Sequence, residues 1–430
     1  MKYEGHKLLR QKGLTILRDI LPKEKIAEVT KELYPQVRER CLTTALQFGL
    51  LAFAQIQKAI SSLDELLYAG LGKIGKIYQI KGVLVTKQSF SQRSKVLPWQ
   101  IFKRLFEYLL ESAAQMGVSR EKVYQGLYTI KLLDATILDV AARLIGTLAS
   151  QPGRRFKAER SKKGKVKLKM ILNQTCGLPE LIRLDQGRAS ELKGIKRLVK
   201  EALKRAAAVI LVMDLGYFCY DFLGWLIDQG TYFVSRIKQN TRYEVIKKLG
   251  RHEWLVKLGV VAAGQKQVVV RLVRVKEKKR WYYYITNLMD REKITRKEIR
   301  ELYRYRWQIE ILFKELKEVL NFKKIFFYNV NGIKGQIYVA LSVYVISKIL
   351  IMQSAQRHGV SEKDFSFKRV VQATRGWLNQ NPEKIFCSKP HRAVVNELLD
   401  KIFEFAYRKK PSLDREKDSG CLVKKGKDVA

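Results

Sequence analysis

Tyr303, Arg306, Glu310 and Lys317 are separated by two, three and six intervening residues within YRYRWQIEILFKELK. They supply a phenol hydroxyl, a guanidinium fork, a carboxylate and an ammonium. The guanidinium can take phosphate oxygens two at a time, the ammonium acts as a point charge, and the hydroxyl adds a third donor. At about 100° per residue all four project from a strip roughly 60° wide. Leu302, Ile309, Phe313, Leu316 and Leu320 form a second strip, centred roughly 70° from the first. The polar strip therefore borders the buried face. A cleft would put polar groups there, and so would an amphipathic helix with snorkelling Arg and Lys, so helical geometry alone leaves both readings open.

The start of that helix is well marked. Thr295 precedes Glu298 by three residues, a capping box, and Ile294 and Ile299 take the two positions of a hydrophobic staple. Residues 1–118 read as a helical, DNA-binding or connecting region, with Arg93 and Lys95 as candidates for phosphate contact or as parts of a purely structural bundle. Strand text begins in GLYTIKLLDATILDV and continues in KVKLKMILN, LPELIRL and AAVILVMD. Helices over 190–205 and 217–229 then lead to a fifth strand, TYFVSRI. Three strands followed by helix, strand, helix and strand predict a mixed α/β sheet. Lys165, Lys167 and Lys169 alternate with Val166, Leu168 and Met170, which gives one strand a lysine face, either solvated or turned to DNA. Residues 240–290 break the pattern; QVVVRLVRV and RWYYYITNL read as a hairpin with a charged tip. The expected division is thus a helical region (1–118), a core in two parts (119–239 and 291–355), an inserted β-rich subdomain (240–290), and a helical C-terminal region (356–430) ending in a basic, disordered tail.

Charge narrows the partner. Lys and Arg number 84 against 41 Asp and Glu, a formal +43, which favours capture of polyanions. Five scattered cysteines and four histidines, with no CxxC or HExxH spacing, argue against zinc and against a disulfide framework. The N-terminal residues lack a signal-peptide core. IYVALSVYVISKILIM carries Lys348 and is short for a membrane span, so it is expected to be a buried helix. No amphipathic membrane anchor is evident. These features place the chain in a cytoplasm.

The quartet with its gaps, together with RWxIE and FKxLK around it, resembles the Y-R-E-K signature of insertion-sequence DDE transposases of the type-four group. The resemblance implies a ribonuclease-H-like α/β core, α+β overall, and two aspartates at strand ends before Glu310. Asp134 in KLLDATIL matches the first, although Ala135 follows where the family more often has Gly or Ser. Asp214 in VILVMDLGYF matches the second, with Gly216 and Tyr217 after it. Asp139 is a rival to Asp134, but its odd spacing turns it to the other strand face. The β-rich insertion between Asp214 and Glu310 is also a family feature.

The chemistry that the resemblance implies is metal-dependent phosphoryl transfer. Two Mg²⁺ ions, with Mn²⁺ able to substitute, would be held by Asp134, Asp214 and Glu310, and hard oxygen ligands make His and Cys unnecessary. The resemblance further implies phosphate or end-strand contacts for Tyr303, Arg306 and Lys317, cut-and-paste cleavage at terminal inverted repeats, and a homodimer on double-stranded DNA. Trp254 and Trp281 are candidates to stack a flipped base, or else core residues of the β-segment. Lys165 and Lys167 complete the candidate DNA contacts. A nuclease without strand transfer and a DNA-binding protein with a decayed core are the competing functions. The filled acidic positions speak against decay, and the quartet with the insertion speaks against the bare nuclease.

Overall fold

The computed structural model describes residues 21–39, 42–77, 85–115, 128–141, 163–206, 208–238, 240–259, 266–277, 279–380 and 391–408. Five helices come first: α1 (Lys23–Leu33), α2 (Thr44–Ile56), α3 (Leu63–Ile77), α4 (Lys87–Val96) and α5 (Trp99–Gln115). The Thr43 and Thr86 hydroxyls accept from the Leu46 and Ser89 N–H groups and cap α2 and α4. α2 is apolar on nearly every side and is buried along nearly its whole length, as a helix without a polar face must be.

β1 (Thr129–Ala141), β2 (Lys163–Asn173) and β3 (Leu178–Gln186) form an antiparallel meander. α6 (Ile195–Leu203), β4 (Val209–Met213), α7 (Tyr220–Asp228) and β5 (Tyr232–Arg236) then add two strands parallel to β1. The order β3-β2-β1-β4-β5 is that of a ribonuclease-H-like sheet, as the resemblance implies. Leu133 lies beside Met213 in the β1–β4 ladder. Asp134 and Asp214, the next residue of each chain, therefore emerge side by side, while β1 runs on against β2 to Ala141.

The expected hairpin is present as β8 (Val268–Glu277) and β9 (Arg280–Thr286). A second hairpin, β6 (Tyr243–Gly250) and β7 (Glu253–Leu258), was not marked by the sequence pattern. In space the inserted segment continues the core sheet. β9 pairs with β5, so one sheet runs β3-β2-β1-β4-β5-β9-β8-β7-β6. An open β5 edge would leave a row of N–H and C=O groups unpaired, and β9 satisfies them.

Ile130, Leu132, Leu138 and Val140 of β1 face a core shared with α2, α5 and the helices after the insertion. Leu133 faces a second core, under α6 and α7. Asp134 and Thr136 are a polar gap in the first of these rows, since side chains alternate along a strand. The chain then returns through α8 (Arg296–Arg304) and α9 (Trp307–Lys314), a π-helical turn at Glu315–Val319, α10 (Val330–His358), α11 (Phe367–Gln380) and α12 (His391–Ala406). α10 is long and apolar enough to cross a membrane, but 94% of its apolar window is buried inside the protein, which matches the buried helix expected there. The C-terminal tail from 409 onward, expected to be disordered, lies outside the described residues.

Candidate active site

Asp134 is fixed by strand backbone, and its Oδ1 accepts the Ala135 N–H at 2.8 Å. Asp214 is fixed by a tight turn. Its carbonyl accepts the Tyr217 N–H at 3.0 Å, opening the 3-10 turn Leu215–Tyr217. Asp139, the rival, lies farther along β1 and pairs with Lys165.

Glu310 comes from the helical side. The Thr295–Glu298 capping box forms as expected, yet the helix is not continuous. Arg306 N–H donates to the Tyr303 carbonyl at 3.1 Å, Gln308 N–H to Tyr305 at 2.9 Å, and Ile309 N–H to Arg306 at 3.3 Å. These three-residue bonds tighten one turn between α8 and α9. Tyr303, Arg306 and Glu310 still reach one place, and Lys317 reaches β1 beside it. Arg306 Nη1 bonds to Glu310 Oε1 and lies 3.9 Å from Asp134 Oδ2, and its Nε lies 3.9 Å from Asp214 Oδ1. The two longer distances are attractions without hydrogen bonds. Tyr303 is buried, and its hydroxyl donates to Asp214 Oδ1 at 3.1 Å. Its ring packs on Tyr284, with centroids 5.3 Å apart. Tyr303 thus orients an aspartate. Lys317, in the π turn, donates to Thr136 Oγ1 at 2.5 Å; Thr136 shares the Asp134 face of β1.

Charges explain the electrostatics. Burial pushes the Asp134 carboxyl up to about 6, opposed by the Ala135 N–H and Arg306 and assisted by Asp214 and Glu310. Burial works against the Arg306 charge, but Tyr303, Glu310 and Asp214 outweigh it and hold Arg306 above its usual range. Burial lowers Lys317. Arg306 is the cation in ion-pair range of the three carboxylates among the described residues, so the cluster is two positive charges short of neutral. The donors are hard carboxylate oxygens, which suit Mg²⁺. Among the described residues no three ligating side chains close on one point; the Arg306 guanidinium is in ion-pair range of all three carboxylates. Donor type and charge deficit both fit a divalent cation.

A raised carboxyl stabilises the fold fully below the ordinary value near 3.8, and that contribution is lost as pH rises through about 6. The parent protein in EDTA should therefore lose up to about 3 kcal/mol between pH 4 and pH 7 from this group, at about 1.4 kcal/mol per pKa unit. Asp134→Asn should flatten that part of the profile. Denaturant titrations at several pH values test this, and an unchanged slope in the variant would exclude Asp134 as its source.

The lysine face is covered by protein. Lys167 is 8% exposed and Lys169 is fully buried. Lys167 Nζ donates to the Ala189 carbonyl and to Glu191 Oε1, each at 2.7 Å. The expected contact of Lys167 with DNA is thus replaced by contacts with the segment before α6, and Lys165 is held at the edge of that face by Asp139. Arg93 likewise turns inward, donating to Glu39 at 2.9 Å and Thr44 at 3.0 Å, while Lys95 is exposed. Trp254 and Trp281 are not brought to the carboxylates. Trp281 alternates with Tyr282 and Tyr284, so it points to the sheet face opposite Tyr303. Arg274 covers the Trp281 ring at 4.1 Å and reaches Trp254 at 6.0 Å. Trp281 also lines an open groove of about 500 Å³ with Arg236, Lys279, Arg280, Tyr282 and Tyr283. Sequence reasoning missed Thr136; the available signal was its position two residues beyond Asp134 on the same strand face.

Residues 125–346 match the family described as Transposase DDE domain, a span that contains Asp134, Asp214 and the whole quartet. A protein of Synechocystis sp. described as a transposase for insertion sequence element IS4SA is 26% identical over 64% of this chain and 75% of its own. Transposase InsG for insertion sequence element IS4 of Escherichia coli is 28% identical over 26% of this chain and 27% of its own. Among solved structures, a piggyBac transposase synaptic complex with hairpin DNA superposes with a TM-score of 0.42 and 13% identity, over 88% of this chain and 83% of that one.

Proposed function

Because this chain belongs to the family of transposases with a DDE domain, we propose that it mobilises an insertion sequence by cutting at its own element's terminal inverted repeats and joining the 3′ ends to target DNA, as cut and paste. The observation that carries this reading is the convergence of Asp134, Asp214 and Glu310 on Arg306, with Tyr303 and Lys317 beside them. When bound, two Mg²⁺ ions, or Mn²⁺ in their place, would supply activation of the attacking oxygen and stabilisation of the leaving one. Asp134, Asp214 and Glu310 would hold them.

The rest of the work falls to this chain's own side chains. Arg306, drawn off the carboxylates as their charge is met, is placed to take phosphate oxygens in a fork. Lys317 adds a point charge on the β1 side. Tyr303 keeps the Asp214 carboxylate turned inward. The basic groove beside Trp281 is suited to an unpaired strand, with Trp281 as the stacking platform once Arg274 moves aside. Two such chains would hold the two element ends together, in the cytoplasm of a prokaryote, where the DNA is.

The test is a strand-transfer reaction with linear DNA carrying the element's own ends, in Mg²⁺ or Mn²⁺. Joined products linking 3′ ends to target DNA are expected. Cleaved DNA with no joined product would instead favour a nuclease.

A further inference from the structure

A group of buried polar side chains lies on the face of the sheet opposite Arg306. The segment before α6 crosses β2 and is fastened to it by the two inward lysines. Lys169 Nζ donates to the Ser190 carbonyl at 2.8 Å and the Lys193 carbonyl at 2.7 Å, and it pairs with Asp185 at 3.2 Å. Lys167 holds Ala189 and Glu191. Residues 189, 190, 191 and 193 are thereby tied to one strand.

Glu191 in turn reaches the Asp214 turn. A Cβ placed on Gly216 would lie 3.5 Å from Glu191 Cγ. Tyr217, the last residue of that turn, is 1% exposed. Its hydroxyl is buried without a hydrogen bond of ordinary geometry, and so is Glu191 Oε2. A buried donor or acceptor left unpaired costs about 1–3 kcal/mol, and here the two stand as neighbours. Burial, then Glu191, Asp134 and Asp214, push the Tyr217 hydroxyl well above its usual range. It therefore keeps its proton and can act as a donor.

We propose that Lys167, Glu191 and Tyr217 form a positioning brace, Lys167 and Tyr217 both donating to Glu191, which locks the Asp214 turn to β2 and so fixes how Asp214 faces Asp134. The register makes this coupling effective. Lys169 pairs with Ala135 and Lys167 with Ile137, so the strand that carries the brace is also the strand flanking Asp134. Both aspartates are referenced to β2, one through the backbone ladder and one through the brace. Groups that orient metal ligands from behind commonly cost 10–100-fold in metal affinity when removed. The inference rests on the reading of the three carboxylates as a cation site.

Two measurements on the full chain separate its failure from failure of that reading. The first is Mn²⁺ binding, followed by electron paramagnetic resonance, for the parent, Asp134→Ala, Tyr217→Phe and Glu191→Gln. The expected result is loss in Asp134→Ala and about tenfold weaker binding in the other two variants. If the parent shows no binding that Asp134→Ala removes, the cation-site reading fails. The second is metal-free hydrogen exchange at the Tyr217 and Phe218 amides, which close the turn onto the Asp214 and Leu215 carbonyls. Tyr217→Phe and Glu191→Gln should speed exchange there about tenfold while leaving β4 protected. Exchange at parental rates in both variants overturns the brace whatever the metal result. Parental Mn²⁺ affinity in both variants, with the parent site intact, also overturns it.

Discussion

Glu310→Gln is expected to lower strand transfer at least about a thousandfold, with DNA affinity and melting temperature close to those of the parent. The substitution keeps size and shape, so packing of α9 is undisturbed. It removes one of the three carboxylates proposed to hold the cations and the closest counter-charge of Arg306. A thousandfold corresponds to about 4 kcal/mol of transition-state stabilisation, within the several kcal/mol that metal-assisted charge stabilisation provides. Arg306 would retain Asp134 and Asp214, each at 3.9 Å, which is why the fold should tolerate the change. Strand-transfer rates and DNA binding measured on the same preparation decide the matter; activity within tenfold of the parent removes Glu310 from the site.

Arg271→Met is expected to destabilise the protein by about 3–5 kcal/mol, the usual cost of leaving one member of a buried pair uncompensated. Arg271 on β8 is completely buried. It donates to Glu253 Oε2 at 3.0 Å, to the Ile294 carbonyl at 2.7 Å and to the Leu288 carbonyl at 3.3 Å. Methionine fills most of the volume but satisfies none of these acceptors. Arg291, also 3.0 Å from Glu253 Oε2, compensates that carboxylate only in part, because it is itself half exposed. The two carbonyls belong to the link between β9 and α8, so the insertion braces the start of the helices that deliver Glu310. Denaturant unfolding measures the loss, and a change below about 1 kcal/mol would show that the Ile294 and Leu288 carbonyls find other donors.

The sequence disclosed which residues come together better than it disclosed their surroundings. Asp134 and Asp214 were legible because each sits in β-branched strand text, and a parallel ladder brings such positions together. The Thr295 cap was legible because its signal is local. Alternation showed that Lys165, Lys167 and Lys169 share a face, but the segment that covers two of them reads GRASELKG, polar loop text with no sign of burial. β6 was missed because its side chains are mostly exposed and supply no apolar alternation. The tightened turn at Tyr305 and Arg306 was invisible too, since neither proline nor glycine marks it and the helical period runs through without a break. The place of Trp281 was hidden for another reason: its residue type suits stacking, but the β5–β9 and β8–β9 pairings, which set it on the sheet face opposite Tyr303, are not marked in the sequence.

That tightened turn divides the labour among the three acids unequally. Asp134 is carried by a strand paired along its length, and Asp214 leaves the end of a central strand. Glu310 hangs from a short helix joined to its predecessor by a single turn of three-residue bonds. Two corners of the triangle are thus carried by the sheet and the third by a helix outside it, so the place of Glu310 depends on the chain that leads into α9. A lengthening or shortening of the chain between Ile294 and Tyr305 would misplace one acid and leave the other two where they are, which makes the helical corner the one at which drift among related chains should most readily silence the enzyme.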